Sequence, residues 1–171
     1  MNGKITKFFA LICLIAFFAS ENEAKAATSN ATATATIAEE IGVGMVGVLD
    51  FGTIIPGATP GTVTIAPKPI SRSSTGGVTV LNTSYGPALF KITGKKHQYN
   101  LAFPSNNYSI TISNPDGNTM TVTNFSFDQR NGSFEKNNEA SFLVGGRLNV
   151  AANQPTGVYT GTFVVNITYT N

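Results

Sequence analysis

An all-β fold, a β-sandwich or barrel, is what this sequence predicts, and three observations predict it. Apolar residues alternate with polar ones in one short run after another. Clusters of Gly, Pro and Asn interrupt those runs at roughly ten-residue intervals. No window keeps apolar residues at helical spacing for more than about one turn. About nine short strands result, and sheets packed on one another are the arrangement that buries their apolar faces. The longest alternation is the last. Tyr159, Gly161, Phe163, Val165, Ile167 and Tyr169 fall on one face, and Val158, Thr160, Thr162, Val164, Asn166 and Thr168 on the other. That pattern predicts a half-buried strand of about twelve residues, which needs a neighbouring strand and a second layer beneath it.

The chain opens on Lys4 and Lys7, a dozen apolar residues from Phe8, and the small residues Ala24 and Ala26 around Lys25. This is the layout of a secretory signal peptide over residues 1–26, too short in its apolar part to span a bilayer. Cys13, the one cysteine, lies inside it, so the exported chain has no disulfide and no thiol chemistry. About 145 residues follow, enough for one domain with a sizeable core. Their charge is near neutral, eight basic side chains against seven acidic, which gives no reason to expect a nucleic-acid partner. No later stretch is long and apolar enough to span a membrane.

Residues 27–41 form an extension or first strand, with Ala31, Ala33, Ala35 and Ile37 alternating with threonines. The sandwich domain is 42–171. Residues 44–55 read as a strand closed by the turn signal Pro56-Gly57. Residues 62–66 alternate again and end at Pro67 and Pro69. Residues 71–77, rich in Ser and Gly, read as a loop before a short strand over 78–81. Strands follow over 88–93, 99–103 and 108–112, and Asn114-Pro115-Asp116-Gly117 signals a turn. The run 120–127 switches parity between Val122 and Phe125, which predicts a bulge near Asn124. Residues 128–139 form a polar loop with Asn131-Gly132 at its tip. The strand over 142–150 contains Gly145-Gly146, a bulge or a close approach of two backbones.

No motif carries catalytic chemistry. Gly42-Val43-Gly44-Met45-Val46-Gly47 spells a dinucleotide fingerprint, but a strand-like segment follows where a phosphate-binding helix would have to start. The plainer reading is glycines that permit a bulge at a strand start. Asp50-Phe51-Gly52 spells a kinase tripeptide without any of the other kinase elements. His97 stands alone in a cationic turn. Asp116, Asp128, Glu135 and Glu139 lack calcium-loop spacing. No catalytic, cofactor or metal residues are assigned, and the expectation is a protein that is not an enzyme.

Leu49-Asp50-Phe51-Gly52, with Gly157, Tyr159, Gly161 and Phe163 of the closing segment, resembles a bacterial secreted family known as domain of unknown function family 4402. The resemblance covers nearly all of the exported chain. That family is similar to the spore-coat-U-like, archaic branch of chaperone–usher fimbrial subunits. The resemblance implies an immunoglobulin-like, pilin-like sandwich, export to the periplasm or cell surface, and partners that are copies of the chain, related subunits and a periplasmic chaperone. It also implies a strand-exchange interface formed by Ala31, Ala33, Ala35 and Ile37 of one chain and the face of Tyr159, Phe163, Val165, Ile167 and Tyr169 of another. The alternative is a self-complete secreted sandwich that binds a ligand, such as a glycan, through the loops 71–77 or 128–139.

Overall fold

A computed structural model describes residues 41–95, 98–135 and 137–170. The chain divides into two units, Met1–Thr36 and Ile37–Asn171, and every described residue lies in the second. The predicted signal peptide, Ala31, Ala33, Ala35, Ile37 and His97 lie outside the described residues.

The described residues contain ten strands and no helix: β1 (Gly42–Gly47), β2 (Ile54–Pro67), β3 (Ile70–Val80), β4 (Ala88–Thr93), β5 (Gln98–Ala102), β6 (Ile110–Ser113), β7 (Thr119–Phe127), β8 (Asn131–Ser133), β9 (Glu139–Val150) and β10 (Asn166–Thr170). All pairings are antiparallel, in one seven-stranded and one three-stranded sheet. The fold class is the one predicted, an all-β, sandwich-like arrangement.

β9 organises the larger sheet. One of its edges pairs with β7, which carries β6. Its other edge is shared: residues 139–144 pair with β4 and through it β1, and residues 146–150 pair with β2 and through it β3. The exchange of partners falls at Gly145-Gly146. A Cβ on Gly145 would lie 2.2 Å from the Ile65 carbonyl oxygen, so only glycine lets β2 come this near. The close approach expected of this glycine pair is therefore present. The predicted bulge near Asn124 is present too, with a register shift between Thr123 and Ser126 and Asn124 at φ 50°. The turn at 114–118 closes through Gly117 N–H to the Asn114 carbonyl, with Gly117 at φ 81°.

Several boundaries differ from expectation. Residues 44–55 are not one strand: β1 stops at Gly47 and β2 begins at Ile54. Pro56-Gly57 does not end a strand, because β2 runs on to Pro67 and absorbs these residues in a register shift. Residues 71–77, expected as a loop, are the middle of β3; 71–76 pair residue for residue with β2 and Gly77 falls in the register shift. Ser and Thr suit a strand that is exposed along most of this stretch, and Gly76 at φ 73° and Gly77 fit against the bulged part of β2, so local composition was a poor guide here. Asn131-Gly132 is not a loop tip but part of β8, paired with β5.

The core is dominated by aromatic rings. Phe142, 1% exposed, stacks on its cross-strand partner Phe90 (centroids 5.1 Å apart, 8° between planes) and meets Phe127 edge-on. Tyr99 and Leu101 of β5 close the core from the smaller sheet, and Val63, Ile65, Ile92 and Val144 fill it from the larger. Burial raises the Tyr99 phenol above its ordinary range; the Gln129 hydrogen bond opposes this and the Asp128 charge adds to it. Asp128 itself ties β7 to β9, its Oδ1 accepting the Leu143 N–H at 2.8 Å.

Candidate functional site

The closing segment keeps its alternation but not its ladder. Tyr159, Phe163, Val165, Ile167 and Tyr169 are half-buried and pack on the core, while Val158, Thr160, Thr162, Val164, Asn166 and Thr168 are exposed. Yet only residues 166–170 form a strand, in place of the twelve expected. Thr160 makes an isolated bridge to Ser113. Between that bridge and β10, residues 161–165 have no ladder partner among the described residues, and the Val164 N–H donates instead to the Tyr108 hydroxyl at 2.8 Å. The reason lies in the neighbour: β5 ends at Ala102, and Pro104 in the loop before β6 has no N–H to offer.

The start of this segment is held by a clasp built from the Gly157, Tyr159 and Gly161 motif. The Tyr159 hydroxyl donates to the Pro155 carbonyl at 2.8 Å and accepts from Gln154 Nε2 at 3.0 Å. Gln154, 8% exposed, also donates to the Thr119 carbonyl. Gly157, at φ 150°, lies against Asn114, and a Cβ on Gly161 would lie 2.7 Å from Ile112 Cγ2. The motif thus fastens the segment to the hairpin of β6 and β7.

From there the segment runs over β4. Phe163 meets Phe90 edge-on (5.8 Å between centroids), and a Cβ on Gly94 would lie 2.6 Å from the Tyr169 hydroxyl oxygen. β10 is the outer strand of its sheet among the described residues, with β5 on its inner side. Leu101 of β5 donates its N–H to the Arg130 carbonyl, away from β10. Its partner Ile167 is therefore in a non-hydrogen-bonded pair and turns its N–H and C=O towards the far edge.

In the larger sheet the outer strand beside β4 is β1. Val43 pairs with Ile92, and Met45 with Phe90, both core residues of β4, so Val43 and Met45 share the inward face. Inward side chains of a two-layer fold should be covered. Val43 is nonetheless 55% exposed and Met45 61%. The larger sheet thus extends one strand further than the layer above it, and the floor under the missing position is apolar. The register shift between Met45 and Gly47 is the bulge expected of the glycine-rich run. Sequence reasoning assigned no role to Val43 and Met45, although their alternation with Gly42 and Gly44 was a strand signal that the nucleotide-like spelling masked.

The Leu49-Asp50-Phe51-Gly52 motif is a structural closure rather than part of this edge. Asp50 Oδ1 accepts the Gly52 N–H at 2.8 Å, and the Asp50 backbone exchanges two hydrogen bonds with Gly86. Gly52 sits at φ 75°, where a Cβ would meet Arg72 and Ser84. Arg72 donates to the carbonyls of Phe51 and Leu81 and lies 4.4 Å from the Tyr85 ring centre. Arg72→Met is expected to lower the unfolding free energy by about 1.5–2 kcal/mol, read from urea denaturation, because two carbonyls lose a charged donor. A change below about 0.5 kcal/mol would mean that the motif holds without it.

Among the described residues no three His, Cys, Asp or Glu gather as a metal site, and no helix is long and apolar enough to cross a membrane. A family model described as a domain of unknown function, DUF4402, matches residues 41–169. No curated protein and no solved structure matches the chain.

Proposed function

Since this chain belongs to the DUF4402 family, whose description assigns no activity, we propose that it is an exported, non-enzymatic surface subunit that assembles by β-strand addition, as chaperone–usher fimbrial subunits do. The observation that carries this reading is the exposed inward pair Val43 and Met45 on β1, the outer strand of one sheet, with β10 the outer strand of the other. The occupant is the extension 27–37 of another copy, with a periplasmic chaperone holding the same edge during export. Eleven residues at ~3.3 Å each span roughly 36 Å, the length of the closing segment from Thr160 to Thr170. Alternating Ala31, Ala33, Ala35 and Ile37 would face the floor, with the threonines outward. Each alanine buries much less than the ~1.5–3 kcal/mol side chains of Leu or Ile, so Ile37 and the new ladder hydrogen bonds carry most of the affinity.

The test compares residues 27–171 with residues 38–171. The longer chain is expected to form oligomers that survive in detergent until heated. The shorter is expected to be monomeric, less stable, and stabilised by an added peptide of residues 27–37. Two monomers of equal stability would overturn the reading.

A further inference from the structure

A second feature borders the closing segment through Tyr108. A cleft of about 310 Å³ is bounded by the loop between β5 and β6 and by the bulge in β7. Phe103, Tyr108 and Phe125 form its apolar wall, and Asn106, Asn107 and Asn124 contribute carboxamides to its lining.

The wall is preformed. Phe103 stacks on Phe127 (4.2 Å, 7°) and on Tyr108 (5.8 Å, 10°), and Tyr108 leans on Phe125 at 5.4 Å. The Tyr108 hydroxyl is tied to the Val164 N–H. Rings held this way lose little freedom when a ligand arrives. The amides are the opposite case. Among the described residues, the side chains of Asn106, Asn107 and Asn124 make no hydrogen bond within the protein, and all three residues are exposed. Asn124 reaches the cleft because the bulge holds it at φ 50°, a left-handed conformation that β-bulges use to re-aim a side chain. The remaining lining residues, Ser109 and Thr123, carry hydroxyls, and the cleft has no carboxylate, ammonium or guanidinium group.

An apolar wall with free amides and no charge suits a ligand whose surface alternates C–H patches with hydroxyl groups. Each carboxamide presents a donor and an acceptor together, which matches a pair of adjacent hydroxyls. We propose that this cleft binds a neutral oligosaccharide. None of its amides lies on β1 or β10, so they can be substituted without changing those strands, while the Tyr108 hydroxyl joins the cleft wall to Val164 of the closing segment.

Saturation-transfer NMR on the purified protein tests it, with maltotetraose, mannotetraose and N-acetylchitotetraose as neutral probes and trigalacturonate as the charged one. At least one neutral probe is expected to receive saturation at roughly millimolar concentration, and trigalacturonate none. Asn124→Gly keeps the backbone conformation and removes the amide. Combined with Asn106→Ala and Asn107→Ala it is expected to weaken binding roughly tenfold or more, as loss of several hydrogen bonds would. If the triple variant does not fold, the loop pair Asn106→Ala and Asn107→Ala is read instead. No transfer to any neutral probe, equal transfer to trigalacturonate, or transfer undiminished in the folded variant would each overturn the proposal.

Discussion

Phe142→Ala is expected to lower the unfolding free energy by about 3–5 kcal/mol, a large share of the roughly 5–15 kcal/mol that holds an ordinary domain. Phe142 is 1% exposed and sits on β9, the strand with which β2, β4 and β7 all pair. Its ring stacks on Phe90 and meets Phe127 edge-on, and Phe90 in turn touches Phe163 of the closing segment. Removing it opens a cavity that the surrounding β-ladders cannot close, because β9 is paired with β4 at Phe142 itself and with β7 from Val144 onward. Urea denaturation followed by far-ultraviolet circular dichroism gives the value, with the exposed neighbour Ser141→Ala expected to change it by less than about 0.5 kcal/mol. A loss under about 1 kcal/mol would show that the aromatic chain is not the core of the fold.

Val43→Asp combined with Met45→Asp is expected to abolish assembly of residues 27–171 while leaving the subunit folded. Both side chains point inward yet stay more than half exposed, so two carboxylates there remain hydrated in the free subunit and change its stability by about 1 kcal/mol or less. An added strand would cover them, and burying unpaired charge costs several kcal/mol. Association should weaken by roughly a hundredfold or more, which sedimentation velocity resolves. Val158→Asp is the control: Val158 is 77% exposed on the outward face of the closing segment, and assembly should not change. Assembly that survives the double substitution would remove β1 from the interface.

Much of the fold was legible because it depends on local pattern. Alternation identified β4 with the bounds it has in the structure, and β5, β6, β7 and β9 to within a few residues. The parity switch before Phe125 located the bulge, and Gly145-Gly146 announced the close approach. The errors share one cause. The Ser- and Gly-rich stretch 71–77 became strand because β2 lies beside it, and 161–165 lost its ladder because Pro104 and its neighbours lie beside it. Pairing supplies or withholds backbone hydrogen bonds, and it comes from residues distant in sequence.

The same division holds for the candidate site. From the sequence alone came the inward face of the closing segment, because a period of two needs only the residues that carry it. The Gly157, Tyr159 and Gly161 motif was also visible, though not that it clasps the β6–β7 hairpin. The uncovered floor was decided only in three dimensions. In the sequence Val43 and Met45 belong to a glycine-rich run at a strand start, and nothing local says whether a second layer reaches them. That depends on how many strands each sheet holds and where the smaller one stops. Here the larger sheet carries β1 beyond β4, the smaller one stops at β10 among the described residues, and the difference leaves apolar side chains facing an edge that points its hydrogen-bonding groups outward.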